Sequence, residues 1–238
     1  MWCVIDLEVQ NNQYYGSVAS PHHPENYIVA AAYTHDNGAV QHRYFDSREE
    51  ADASNWLSEA LDGQKVLVAH NATFELQWLM HRYPETLKKF LVNGGKVFCT
   101  QYAEYVLSGL QNFYPTLEDT SLKYGGTKKI DEVKLLWENG VLTADIDRTL
   151  LLDYLVNGDV PNTRLVCFKQ VPELKSRGMY QMFWQRMDSL LFNALSTLNG
   201  LYVDTDVAYK NLADQLAEID ALKAEVQRLM PEDIPEEL

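Results

Sequence analysis

Residues 2–8 read Trp2-Cys3-Val4-Ile5-Asp6-Leu7-Glu8, and the fold is read outward from this run. A short apolar stretch rich in β-branched and aromatic residues suits a buried strand. Side chains alternate across a strand, so Asp6 and Glu8 point to the same face at its end. Two neighbouring carboxylates repel each other unless they are protonated or bridged by cations, and hard oxygen ligands of this kind suit Mg2+ or Mn2+. A D-x-E pair is also common at a solvated strand end, so it does not define a site by itself.

Further strands are expected at 27–34 (YIVAAAYT) and 40–45 (VQHRYF), with the hairpin signal Asp36-Asn37-Gly38 between them. Residues 65–70 (KVLVAH) and 96–100 (KVFCT) read as two more. Ser47 is placed to cap a helix over 48–61, with Glu49 and Glu50 in its first turn. A second helix is expected over 72–82, with Phe74, Trp78 and Leu79 on one face, and helical patterns dominate from 101 onward. Gly109, Pro115, Gly125 and Gly126 mark looped structure within 109–131. This order predicts an α/β fold, a mixed sheet flanked by helices. Residues 187–238 read as a helical extension interrupted at Asn199-Gly200. Leu212, Leu216, Ile219, Leu222, Val226 and Leu229 form one apolar stripe on its last helix, which would pack on its own chain or dock another.

The chain has 238 residues, 46% hydrophobic and 23% charged, enough to bury a sizeable core. That balance excludes disorder as the dominant state. No stretch approaches 18 uncharged apolar residues, so neither a membrane span nor a membrane partner is expected. A signal peptide is not expected either, because no basic segment precedes a long apolar run. Cys3, Cys99 and Cys167 lie far apart without CxxC spacing, which argues against a disulfide framework or zinc site and fits a reducing cytoplasm. The net charge of −14 argues against holding nucleic acid by bulk electrostatics. Residues 204–238, however, hold ten acidic and three basic side chains, a balance of −7, so half of the excess sits in the last segment.

Two more acidic features follow. His70-Asn71-Ala72-Thr73-Phe74-Glu75 lies at a strand-to-helix junction, where Asn71 can cap the helix and Glu75 falls about one turn in. Asp153-Tyr154-Leu155-Val156-Asn157-Gly158-Asp159 adds a carboxylate with a tyrosine nearby. DxE, then HNxxF plus an acid, then Tyr shortly before Asp resembles, in that order, the three exonuclease motifs of the DEDD superfamily of 3′–5′ exonucleases, whose fold is ribonuclease-H-like. Cys99-Thr100-Gln101 with Ala103–Leu107 resembles the step after the second motif in family A DNA polymerases, and Leu117–Gly125 the segment before the third. Leu198-Asn199-Gly200-Leu201-Tyr202-Val203-Asp204 is similar to the segment that begins the polymerase region.

The resemblance implies an exonuclease domain over 1–186 and the start of a polymerase thumb over 187–238. It implies a phage-like, truncated or split enzyme in the host cytoplasm. No palm or fingers follow, so polymerase activity is not expected of this chain alone. It also implies two divalent cations, Mg2+ or Mn2+, ~4 Å apart. Asp6, Glu8, Glu75 and Asp159 would bind them, and Tyr154 would orient the attacking water. The substrate would be a single-stranded DNA 3′ end, cleaved to 5′-monophosphates, with a separate polymerase chain as a partner. His70, Asn71 and Phe74 are expected to support the site structurally, with His70 bonding locally.

The sequence departs from the pattern twice. The second motif carries Glu75 where aspartate is usual, and the third places four residues rather than three between Tyr154 and Asp159. That spacing sets them roughly 140° apart on a regular helix. Either a bulge near Gly158 and Pro161 restores convergence or Tyr154 is not the functional tyrosine. A catalytically inactive DNA- or polymerase-binding module is the alternative reading. Lys128 and Lys129, within a run that includes Lys123 and Lys134, are candidates for a DNA-backbone patch. Tyr102, Tyr105, Phe113 and Tyr114 could include a base-stacking platform or be core.

Overall fold

The structure is a computed structural model that describes residues 1–128 and 131–230. Lys129 and the expected tail segment 231–238 lie outside the described residues. The described chain divides into two compact units, the first Met1–Leu198 and the second beginning at Asn199.

The first unit is organised by β1 (Trp2–Val9), the middle strand of a five-stranded sheet. It pairs antiparallel with β4 (Ile28–His35), which pairs antiparallel with β5 (Gln41–Tyr44). Between them β2 (Gln13–Tyr14) and β3 (Ser17–Val18) form a separate small ribbon. On its other side β1 runs parallel to β6 (Val66–Ala69), which runs parallel to β7 (Lys96–Cys99). The order is therefore β5-β4-β1-β6-β7. Cys3, Val4 and Ile5 are fully buried with Val29, Ala30 and Leu67. A continuous apolar run is what a strand covered on both faces requires.

Helices cover that sheet. The expected helix over 48–61 is two, α1 (Arg48–Ala53) and α2 (Trp56–Leu61). Ser47 caps α1 by accepting from the Glu50 amide at 3.2 Å. Ser54 then turns extended, and its hydroxyl accepts from the Trp56 amide, so a serine side chain competes with the helix ladder and restarts it. After β6 come α3 (Thr73–Arg82) and α4 (Pro84–Val92), and after β7 come α5 (Thr100–Leu107), α6 (Leu117–Lys123) and α7 (Asp131–Glu138). The chain returns through α8 (Arg148–Asp153), a π-helical turn at Tyr154–Asp159 and α9 (Val160–Ser176).

The sequence reading ends the first domain at 186, but α10 (Tyr180–Asn199) runs through that point with Phe183, Met187 and Ala194 buried. Phe183 packs on Phe98 of β7 with ring centroids 4.6 Å apart. The Cys99 amide donates to the Met187 sulfur at 3.5 Å. The second unit is α11 (Thr205–Leu229) with its lead-in, capped by the Asp204 carboxylate accepting from the Val207 amide at 3.1 Å. Among the described residues, no helix is long and apolar enough to cross a membrane.

Candidate metal centre

β1 outruns its parallel neighbour. The β1–β6 ladder pairs Trp2 with Val66, Cys3 with Leu67 and Val4 with Val68, and goes no further. Asp6 and Glu8 therefore project past the carboxyl end of the parallel part of the sheet, where open α/β sheets place their ligands. On the antiparallel side their partners are small, Asp6 facing Ala32 and Glu8 facing Ala30. The register then shifts between Glu8 and Val9. Such bulges re-aim a side chain beside a site. Asp6 and Glu8 are half-buried while Ile5, Leu7 and Val9 are buried, so the strand exposes the alternation that puts both acids on one face.

The third carboxylate arrives from 150 residues along the chain through the π turn. The Val160 amide donates to the Leu155 carbonyl, an i→i+5 bond. Five residues then close one turn, and Tyr154 and Asp159, opposed on a regular helix, come to the same side. Pro161 supplies a reason: it has no amide to give the Asn157 carbonyl, and its ring crowds that oxygen. Gly158 has open space around its Cα, so the bulge does not depend on a missing side chain there. Of the two readings left by the sequence, the structure takes the bulge.

One carboxylate oxygen from each of Asp6, Glu8 and Asp159 lies within 4.8 Å of the others. Like charges this close repel by ~3–4 kcal/mol per pair at an effective dielectric of about 20. Glu75 stands beside the triplet from the first turn of α3 and is only 2% exposed. Burial, then the nearby charge of Asp6 and that of Asp159, hold its carboxyl well above the usual carboxylate range. Its Oε2 is buried without a hydrogen-bond partner. An all-oxygen donor set with an unanswered buried oxygen fits a hard divalent cation.

Tyr154 converges on the same place. Burial, followed by the charges of Asp159, Glu8 and Asp6, pushes its hydroxyl far above the ordinary phenol range, and it donates a hydrogen bond to Asp159. A phenol so placed keeps its proton and can orient a neighbour without acting as a base. Its ring meets Trp137 edge-on at 5.8 Å, and the Trp137 indole donates to the Thr143 hydroxyl at 3.1 Å.

Two of the supporting residues, Asn71 and His70, behave differently from their sequence reading. Asn71 does not cap α3 with its side chain. It sits in the left-handed region at φ 58, and α3 starts after Ala72 without a side-chain cap. Asparagine tolerates that conformation, which turns the chain sharply from β6 into α3. His70 bonds across the fold rather than locally. Its Nε2 donates to the Pro115 carbonyl at 3.0 Å, which leaves Nδ1 to accept from the Thr100 hydroxyl at 2.8 Å. Phe74 packs half-buried 6.5 Å from Trp78. Lys128 is exposed, beside Thr127, whose amide donates to Asn162 of α9. Lys123 pairs with Glu104 and Lys134 with Glu138, which neutralises part of that basic run.

Sequence reasoning missed Trp137 and the pair Gln10–Asn11. The Ala144 amide donates to Gln10 at 2.9 Å and the Thr143 amide to Asn11 at 3.0 Å. Asn11 also donates to the Val141 carbonyl at 3.1 Å. These bonds tie the end of β1 to the loop that leads into α8, and so hold the first and third acidic segments together. Polar residues directly after D-x-E were the available signal.

No protein-family model matches the sequence, and a search of curated proteins finds no match. Solved structures do resemble it. One described as an apo form of a nuclease shares 16% identity over 83% of this chain and 84% of that one, with a TM-score of 0.63. Brucella melitensis NrnC bound to pGG shares 16% identity over 84% of this chain and 85% of its own, with a TM-score of 0.59. The same protein with bound Mg2+ gives 16%, 84% and 86%, and a TM-score of 0.57. The chain has the ribonuclease-H-like α/β fold of these nucleases.

Proposed function

We propose that this chain is a divalent-metal-dependent 3′–5′ exonuclease that removes nucleotides from single-stranded DNA ends as 5′-monophosphates. The observation that carries the reading is the convergence of Asp6, Glu8 and Asp159 within 4.8 Å at the open end of β1, with buried Glu75 beside them. The nuclease fold of structures with bound Mg2+ and pGG supports it. So does the match in order between the three acidic segments and the DEDD motifs.

Asp6, Glu8 and Asp159 would hold two Mg2+ or Mn2+ ions, with Glu75 completing the set directly or through water. When bound, the ions would acidify the attacking water and offset charge on the phosphodiester. The chain's own part is positional. The strand and the π turn hold the carboxylates in place before substrate arrives. Tyr154 retains its proton, bonds Asp159 and orients the water. Burial around Glu75 and Asp159 excludes bulk water, which strengthens every charge interaction in the site.

We further propose that the chain is the exonuclease part of a truncated or split family A DNA polymerase, on the similarity at 198–204. A separate polymerase-domain chain would be its partner, and its work would be proofreading in a phage-infected cell. Lys128 and Lys129 are proposed contacts to the DNA backbone.

The test is digestion of a 5′-labelled single-stranded DNA oligonucleotide with Mg2+, Mn2+ or EDTA, beside Asp6→Ala. A ladder shortening from the 3′ end, metal-dependent and absent in the variant, is expected. No cleavage in either metal would overturn the reading and favour an inactive binding module. Faster digestion of RNA than DNA would move the substrate class to ribonucleic acid.

A further inference from the structure

We infer that α11 pairs with α11 of a second copy of this chain, as a parallel two-stranded coiled coil. This goes beyond the nuclease reading above and does not rest on it.

α11 has 25 residues, none of them buried. The members of its apolar stripe, from Leu212 to Leu229, are each between 44% and 66% exposed. A helix in water draws most of its stability from packing such a face, and a contiguous apolar strip left bare marks an interaction surface. The stripe keeps a seven-residue period. Leu212, Ile219 and Val226 fall at a positions of the heptad, and Ala208, Gln215, Leu222 and Leu229 at d positions. Leu216 flanks this seam at an e position. The pattern holds for about three heptads, the length at which a coiled coil becomes the expected state. The opposite face carries Lys210, Asp214, Ala217, Ala221 and Arg228, so the helix has one apolar side to cover.

The seam itself selects a second copy as its occupant. Ile219 and Val226 put β-branched side chains at a where Leu222 and Leu229 stand at d, the combination that favours two parallel strands. The flanking charges agree. Glu218 lies at g and Lys223 at e, five residues further on. Residues five apart point to different sides of their own helix, and among the described residues Lys223 makes no ion pair. In a parallel pair a g residue faces the e residue five positions along the other strand, so Glu218 meets Lys223 of the second copy. Twofold symmetry makes that pair twice. An antiparallel pair would instead set g against g, bringing Glu218 onto Glu225. Gln215 is the polar member of the d row. Its amide both donates and accepts, so two copies of it answer each other when they share a layer, which fixes the register. A hollow on α11 is lined by Ile219, Leu222, Lys223 and Val226 together with Gln227. Those first four residues are the a-d-e-a set that receives a d side chain from a parallel partner, and Leu222 of the second copy is the knob it would take.

The experiment uses the whole chain. Sedimentation equilibrium across the micromolar range should show a species of twice the chain mass. Ile219→Glu combined with Leu222→Glu should weaken association by at least ~100-fold, because both charges would enter the seam. Glu218→Lys alone and Lys223→Glu alone should each weaken it about fivefold. An equal mixture of those two variants should recover the original affinity, since each supplies the charge that the other lacks. Every altered side chain is exposed, and circular dichroism checks the fold. Ala208→Cys should cross-link to its own copy on mild oxidation, while Cys3, Cys99 and Cys167 stay buried and unreactive. A monomer at all concentrations, or a dimer indifferent to the Ile219 and Leu222 changes, would overturn the pairing. A dimer that neither cross-links at position 208 nor shows mutual rescue by the charge variants would overturn its parallel direction. Mass and cross-linking are read without substrate, so a protein that cleaves nothing can still pass this test, and an active monomer fails it.

Discussion

Two helices, α3 and α5, follow parallel strands of the same sheet, and each buries a glutamate near its start. Glu104 of α5 is 6% exposed and receives Lys123 at 2.5 Å, the Tyr124 hydroxyl at 3.1 Å and the Gln170 amide at 3.1 Å. Those donors come from α6, its C-terminal end and α9, so the carboxylate cross-links three elements. Glu75 of α3 is buried as deeply, but it faces Asp6 and Asp159, and its Oε2 has no partner. The difference separates a carboxylate that holds the fold from one that strains it. Burying a charge without compensation is costly, and it persists where something outside the chain supplies the answer. In the first case the counter-charge is encoded in the chain; in the second it is a divalent cation on the reading proposed here.

The largest expected effect breaks the comparison by making the two sites alike. Glu75→Gln should lower the cleavage rate by at least ~100-fold, because it strips a carboxylate that holds or positions metal. It should also leave the metal-free protein as stable as before or more so, since it removes a repelling charge. Glu104→Gln should do the reverse. It should cost about 1–3 kcal/mol of stability, discounted for the half-exposed Lys123, and leave the rate within a few-fold. Denaturant melts and single-turnover rates on both variants decide it; a shared sign would end the distinction.

Removing metal sharpens the same contrast. Saturating Mn2+ at about 100 times its dissociation constant should stabilise the protein by ~2.7 kcal/mol, and Glu75→Gln should shrink that gain. Thermal melts with Mn2+ and with EDTA measure it. A melting temperature indifferent to Mn2+ would remove the metal centre.

Tyr154→Phe keeps the ring against Trp137 and deletes the hydroxyl that bonds Asp159. About a tenfold loss of rate is expected if it orients water. An unchanged rate would strike Tyr154 from the site. Pro161→Ala restores an amide where the π turn lacks one, and should lower the rate by a few-fold as a regular helix competes with the bulge. The pH profile in EDTA gives the smallest signal. Glu75 has its carboxyl raised in the folded state above its unfolded value, so its contribution is fully present below the unfolded carboxylate range. That contribution is lost as pH rises through the higher folded value. Stability without metal should thus fall from mildly acidic toward neutral pH, and Mn2+ should flatten the slope. A slope of the opposite sign would show that Glu75 is already compensated within the chain.

Much of this was legible from residues alone. The apolar run at 2–8 with its i, i+2 acids, the Asp36-Asn37-Gly38 hairpin and the stripe on α11 each depend on the local period of the chain. Local period follows from backbone geometry. The mixed sheet flanked by helices followed from the order of those elements, and the three acidic segments could be placed on strand end, helix start and helix because their context is local. Chain order and short-range sterics thus determined the architecture, while the acids were singled out as a set by the resemblance of the three segments to the exonuclease motifs.

Tertiary structure alone decided how they meet. Whether Tyr154 and Asp159 share a face depended on a π turn whose hydrogen bond is set by where Pro161 falls within a packed helix. Whether Glu75 is strained or satisfied depended on which partners, 69 residues upstream and 84 downstream in the chain, come to surround it. Asn71 and His70, which read as a cap and a local bond, became a left-handed turn and an anchor for the loop at Pro115, because their partners lie on other elements. Gln10 and Asn11 offered only their polarity after the acidic strand end, and Trp137 carried no local pattern at all. Residue type and spacing give a side chain its chemistry, whereas its charge state and its role follow from the burial and neighbours that only the folded chain provides.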